Sequence, residues 1–224
     1  MTTLNFTLFS LLCSLAAYLL GSIPFGLLIG KIKGVDIRTQ GSCNIGATNV
    51  TRVVGKWWGK LCFFCDFSKG LLPVLAVRCI LRQLDCPENN LYGLLPVLTA
   101  LFAVLGHIFP VYLKFKGGKG VSTVAGVVLA LHPFSVLIAG AVWAGFFFAF
   151  RYVSLASLAA AAALPLSAFA LTFAGVKMPL PTGILLIFFA LLTIAKHHSN
   201  IRRLLNGTES RFDKKKKEKG NTLS

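Results

Sequence analysis

The sequence predicts an all-α, polytopic transmembrane bundle of about seven spans, with its N-terminus outside and its C-terminus in the cytoplasm. Three observations predict it. Of the 224 residues, 55% are apolar; the chain carries 23 Lys and Arg against 7 Asp and Glu; and those cations collect in a few short stretches separated by long runs with almost no charge. A water-soluble domain needs its charge spread over a wet surface, whereas basic loops alternating with apolar runs mark a multi-span membrane protein.

A span needs roughly 20 apolar residues to cross a hydrocarbon core of about 30 Å. The first predicted span is 5–30. No Lys or Arg precedes Lys31, so the positive region of a cleavable signal is missing and the stretch reads as retained. The others are 61–82, 93–113, 120–132 (short for a full crossing), 134–150, 153–174 and 180–197. Their connections alternate in charge. Segment 31–60 holds six cations, whereas QLDCPENN after Arg82 holds none. Lys114, Lys116 and Lys119 follow the third span, none lies at His132–Pro133, Arg151 follows the fifth, and Lys177 alone follows the sixth. The positive exits put the polar, Gly-rich and basic segments on the cytoplasmic face. Residues 1–212 read as one membrane domain. Residues 213–224 read as a basic cytoplasmic tail whose run Lys214–Lys217 suits a membrane-surface anchor.

The net charge of +16 suits anionic headgroups or an anionic substrate rather than a nucleic acid, because the cations flank apolar spans. Cys62 and Cys65 form a C-x-x-C, but no second cysteine pair or nearby histidine completes a ligand set. They read as small apolar residues. No metal or cofactor is expected. Asp66 and Lys69 share one helix face inside the second span, as a structural pair or a brace for the first loop. Arg78 and Arg82 read as snorkelling to the outer interface.

Three segments carry candidate chemistry. The first, GSCNIGATNVTRVVG (41–55), sets Ser42, Thr48, Asn49 and Arg52 among small residues. On a helix starting near Asn44, Thr48 and Arg52 are i,i+4 neighbours, and neutral donors beside a guanidinium suit a phosphate or carboxylate. A connector touching headgroups fits the same residues. The second, GHIFPVYLKFKGGKGVST (106–123), offers Gly117, Gly118 and Gly120 as an anion nest, with Lys119 and a helix beginning near Val121 aimed at the same place. It is not a nucleotide loop: Leu113 stands where Gly is required and Gly120 where Ser or Thr should be. The third, KHHSNIRRLLNGTE (196–209), puts His197, Asn200 and Leu204 on one helical face, as part of a site or as a satisfied interfacial histidine.

In this order the segments resemble the bacterial acyl-phosphate-dependent glycerol-3-phosphate acyltransferases. The residues that carry the likeness are 21–55, the D-x-x-KG at Asp66–Gly70, 106–121 and the H-x-x-NIRRLLNGTE at 197–209; it runs from about residue 18 to 212. The resemblance implies a seven-helix membrane fold in the bacterial inner membrane, an active site facing the cytoplasm, and lysophosphatidic acid as product. It further implies acyl phosphate and glycerol-3-phosphate as substrates, and the peripheral enzyme that makes acyl phosphate as a candidate partner. Carried over by motif, Ser42, Arg52, Lys119, His197 and Asn200 are the expected catalytic residues. Thr48, Asn49, Gly117 and Gly118 join them in substrate binding, with Ser154 or Ser157 from RYVSLAS. Two positions depart from the family: Cys43 replaces Gly, and His198–Ser199 replaces an Arg–Glu pair.

The chemistry follows from the reactants. Two anions must be held together, which demands dense positive potential. The other large class of glycerolipid acyltransferases uses His followed five residues later by Asp. Here Tyr112, Leu137, Arg202 and Arg203 stand five residues after the four histidines, and no G-x-S-x-G elbow occurs. Direct transfer without an acyl-enzyme is therefore expected, the donor's phosphate taking the hydroxyl proton while His197 positions or polarises.

Overall fold

The computed structural model describes residues 3–86 and 91–212. The tail expected at 213–224, with its lysine run, and the end of the QLDCPENN connection lie outside the described residues. Helix α1 (Thr3–Gly21) gives way at Ser22–Pro24 to α2 (Phe25–Ile32). Pro24 causes the break, since its ring clashes with the preceding turn and it has no N–H to give. A loop and the short α3 (Ala47–Val53) lead into α4 (Lys56–Gln83). Then come α5 (Leu91–Ile108), a single 3-10 turn at Val111–Leu113, α6 (Val121–Leu131), α7 (Pro133–Phe150), α8 (Val153–Phe173) and α9 (Leu180–Lys196). The last helix, α10 (His198–Leu205), leaves α9 at an angle of 57°. No strand occurs among the described residues.

Helices occupy all seven predicted stretches. By length and apolar composition, four of the described segments qualify as spans: Leu4–Ile32, Tyr92–Leu113, Pro133–Phe150 and Val153–Phe173, with α9 and α10 together as a bent fifth. Helix α4 is long enough but carries Asp66, Lys69, Arg78 and Arg82 in its interior. Helix α6, with 11 residues, is only about 16 Å long, half of what a crossing needs.

The principal core lies where α4, α5, α6, α8 and α9 meet, and Val74, Ala103, Val104, Val127, Leu164, Leu186 and Phe189 fill it. Outward, Leu8, Leu11, Phe148 and Phe173 are exposed, as a surface facing hydrocarbon requires. A second cluster of Leu27, Ile37, Ile45, Val50 and Cys62 clamps the first loop and α3 onto α2 and α4. Asp66 and Lys69 form the expected ion pair (2.8 Å), and Lys69 Nζ also donates to the Ile23 carbonyl at the Pro24 break (2.8 Å). The pair thus braces the entry to the first loop. The expectation for Arg78 is corrected. Rather than reaching for the outer interface, its guanidinium donates to the Ala130 carbonyl at the C-terminal end of α6. A helix ending inside the bundle leaves carbonyls without partners, and this arginine supplies one. Arg82 is exposed.

Helices α4 and α6 cross with backbones nearly in contact. A Cβ at Gly126 would stand 2.1 Å from the Phe67 carbonyl oxygen, and the Thr123 hydroxyl donates to the Asp66 carbonyl (2.9 Å) across the same seam. Gly126→Ala should therefore force the helices apart and lower stability by about 1–3 kcal/mol, the usual cost of overpacking. Gly140→Ala, at a position with nothing within 4 Å, should change little. Unfolding of both variants in detergent checks this; equal midpoints would contradict it.

Candidate active site

Two cavities share a wall at one end of the bundle. The polar one, about 140 Å³, is lined by Ser42, Thr48, Asn49, Arg52, Asp66, His107, Lys119, Ser154, Ser157, His197, Asn200 and Glu209, among others. The apolar one, about 510 Å³, runs between α6, α7 and α8 past Val124, Val128, Ala139 and Leu164. Thr48, Phe63, Val121, Trp143, Val153 and Ser157 line both. All three sequence segments thus converge on one place.

Lys119 is the centre of the polar wall. Its ammonium donates to Asn200 Oδ1 (2.5 Å), and Asn200 Nδ2 donates to Glu209 Oε1 (2.8 Å). The same Glu209 oxygen accepts from Ser154 Oγ (2.8 Å), while Oε2 accepts from Arg203 Nε (2.6 Å). One carboxylate therefore ties α8, α10 and the segment after α10 together, and it holds Asn200 with its oxygen toward the lysine. Those donors outweigh burial and keep Glu209 below the usual carboxylate range. Burial pushes Lys119 down to about 8, and the nearby Arg203 and Arg52 add to the effect while Glu209 opposes it.

Arg52, one turn after Thr48 on α3, donates to the Ser210 carbonyl (3.0 Å) and lies 5.2 Å from the Phe212 ring centre. Among the described residues neither Arg52 nor Lys119 forms an ion pair with a carboxylate, so both charges stand ready for an external anion. His197 is buried, with Nδ1 2.7 Å from the Thr193 carbonyl. A carbonyl only accepts, so the proton sits on Nδ1 and Nε2 keeps its lone pair.

Several expected residues act differently. Asn49 borders the cavity, but its side chain is spent on the loop: Nδ2 donates to the Ile37 (2.8 Å) and Gln40 (3.1 Å) carbonyls, and Oδ1 accepts from the Ser42 amide (2.8 Å). It positions Ser42. The anion nest expected at Gly117 and Gly118 is corrected. Their amides donate back to the Ile108 and His107 carbonyls (3.2 Å each), because the end of α5 has carbonyls to satisfy. Neither residue lines the polar cavity. The helix N-terminus expected at Val121 is present, and Gly120, Val121 and Ser122 bring its first amides to the cavity. Ser154 enters the Glu209 network, whereas Ser157 donates to Val153 O (2.8 Å) and accepts from Trp143 Nε1 (3.2 Å). Cys43 holds a left-handed φ of 56°, a strained turn for any side chain.

Glu209, His107 and Asp66 also border the cavity, although the sequence reading assigned them no part in the site. Glu209 closes the third motif, and its acidic character among basic neighbours was the available signal. No group of three or more potential metal ligands occurs among the described residues.

Residues 11–207 match the family model described as "Glycerol-3-phosphate acyltransferase". A glycerol-3-phosphate acyltransferase of Desulfotalea psychrophila is 45% identical over 201 residues, 90% of this chain and 97% of that protein. One of Aquifex aeolicus is 47% identical over 197 residues, 88% of this chain and 95% of that protein. Among solved structures, the crystal structure of PlsY (YgiH), an integral membrane glycerol 3-phosphate acyltransferase, superimposes in its glycerol 3-phosphate form with a TM-score of 0.80. It shares 45% identity and covers 91% of this chain and 96% of its own. The lysophosphatidic acid form of the same protein gives a TM-score of 0.78.

The Lys119 charge is present below about 8 and lost above it. Inorganic phosphate should therefore bind progressively more weakly as pH rises through that value, approaching tenfold per pH unit. Lys119→Arg, charged throughout, should hold the affinity flat. Titration calorimetry from about pH 7 to about pH 9 checks both.

Proposed function

The chain belongs to the glycerol-3-phosphate acyltransferase family of integral membrane proteins, and we propose that it moves a fatty acyl group from acyl phosphate to the sn-1 hydroxyl of glycerol-3-phosphate. The products are lysophosphatidic acid and inorganic phosphate, at the start of phospholipid synthesis. The observation that carries this reading is the shared wall: a cation-lined polar cavity opens directly onto an apolar one. A reaction joining a phosphate-bearing acceptor to a fatty chain needs that juxtaposition. The apolar cavity is of the size that ligand sites commonly have, about 300–1,000 Å³.

In this scheme Arg52, Lys119 and the first amides of α6 hold the two phosphate groups against their repulsion. Asn200, fixed by Glu209, orients Lys119; Thr48, Ser42 and Ser154 supply neutral hydrogen bonds, and Ser157 borders the acyl path. The attacking hydroxyl forms the new C–O bond as the carbonyl-to-phosphate C–O bond breaks, and its proton leaves on the departing phosphate as hydrogen phosphate. His197 fits a positioning or polarising part, since the Thr193 carbonyl holds its Nδ1 proton and leaves Nε2 with the free lone pair. The charge alternation of the loops supports a cytoplasmic site in the inner membrane, with the N-terminus outside and the tail inside. Acyl phosphate then arrives from the peripheral enzyme that makes it.

Purified in detergent, the protein should release phosphate from palmitoyl phosphate only when glycerol-3-phosphate is present. Arg52→Ala should lower kcat/KM for the acceptor by roughly 10²–10³-fold, the range seen when one preorganised charge partner is removed. Acceptor-independent release would count against the reading. Recovery of a covalent acyl-protein by mass spectrometry would exclude direct transfer.

A further inference from the structure

Acyl phosphates differ from one another only in the apolar chain, and nothing described so far decides how long a chain the enzyme accepts. Resting on the proposed donor, we infer that Gly140 on α7 is the position that decides it. The side chain missing there leaves open the passage that a long acyl chain must take.

Gly140 lines the apolar cavity. It stands three or four residues from Val136 and Trp143, and Phe147 lies one turn beyond; all of them line the same cavity and share one face of α7. A Cβ at Gly140 would have nothing within 4 Å. On that face, the open space beside the backbone is the cavity itself. Gly145 provides the contrast. It too has nothing within 4 Å, but it lines neither cavity and sits on the outward side of the same helix.

The level of Gly140 within the cavity follows from the pairing of α7 with α8. The two helices are joined by the short Arg151–Tyr152 connection and run antiparallel, and Trp143 Nε1 donates to Ser157 Oγ across them (3.2 Å). Both residues belong to the wall shared with the polar cavity, where acyl transfer must occur. Three residues farther from that wall, about 4–5 Å along each helix, stand Gly140 and Ala160. Val136 and Leu164 line the far part, about 10 Å from the wall. A chain whose carbonyl reacts at the wall therefore passes between Gly140 and Ala160 before it meets Val136 and Leu164. Glycine against alanine is a smaller pair than Trp143–Ser157 before it or Val136–Leu164 beyond it.

The energetics give that small pair its weight. Each methylene that leaves water for an apolar lining strengthens binding by roughly fourfold. A chain that continues past Gly140 keeps that gain, and one stopped there forfeits it. A bulky side chain at 140 would fill the passage without displacing a packed neighbour, so its effect falls on the substrate rather than on the fold.

The test compares palmitoyl phosphate with butyryl phosphate, glycerol-3-phosphate being the acceptor. The butyryl chain ends roughly 4 Å past its carbonyl, short of Gly140. The native enzyme should favour the palmitoyl donor by roughly 10²-fold or more in kcat/KM, the gain from about four further methylenes held in the cavity. Gly140→Phe should remove at least about tenfold of that advantage by weakening palmitoyl use, with butyryl use nearly unchanged. Gly145→Phe, the same bulk on the outward side, should leave both donors as in the native enzyme. Where Gly140→Phe fails to yield monodisperse protein, Gly140→Leu gives the same readout. Equal losses on both donors, an unaltered preference, or the same shift from Gly145→Phe would overturn the inference alone. A native enzyme that acylates glycerol-3-phosphate from neither donor would overturn it together with the proposed function.

Discussion

Every backbone polar group placed at membrane depth must find a partner within the protein, and the half-length helix α6 is where this constraint bears hardest. Its 11 residues cannot reach from one interface to the other, so at least one of its ends must be satisfied within the fold. The C-terminal end is met by the Arg78 guanidinium, a charge that would otherwise be an expense inside α4. The N-terminal end opens on the polar cavity, where amides without helical partners become an asset for binding anions. The rest of the site follows from that placement. Helix α4 is drawn against α6 at Gly126, which sets Asp66 beneath the cavity, and the glycine turn folds back on the end of α5 to deliver Lys119.

The electrostatics show the same economy. Burying a lysine is costly unless a partner keeps it in place, and Lys119 is held by a neutral amide oxygen rather than a carboxylate. The carboxylate stands one residue further back, where it orients Asn200 and is itself answered by Arg203 and Ser154. A direct Lys–Glu pair would have been stiffer but would have neutralised the charge that an anionic ligand needs. Asp66 is likewise answered by Lys69, so the two carboxylates beside the cavity have cations of their own, while Arg52 and Lys119 keep theirs for a ligand.

Much of this was legible in the sequence, and the reasons are physical. Spans are read from local composition, and helices stand at every stretch so marked. The convergence of Arg52, Lys119, His197 and Asn200 was legible because charge, amides and glycines cluster only beside spans. What escaped depends on long-range geometry. Whether the amides of Gly117 and Gly118 face a ligand or the end of α5 is decided by which carbonyls are orphaned there, and no motif records that. Asn49 looked like a ligand, but its carboxamide is consumed by three backbone groups of its own loop. Arg78 reads as an interfacial residue until Ala130, 52 positions later, arrives beside it. Glu209 was passed over because its partners Ser154 and Arg203 come from different helices.

The position of Glu209 along the chain has a consequence for biogenesis. Ribosomes release a polypeptide from its amino end, so the helices reach the bilayer in the order α1 to α9. The carboxylate that steadies Asn200 and Ser154, and the Ser210–Phe212 stretch lying against Arg52, emerge only after α9 has been made. A partly synthesised molecule therefore holds the cationic walls of its pocket without the piece that organises them, and the centre matures only once the residues after α9 have been made rather than span by span.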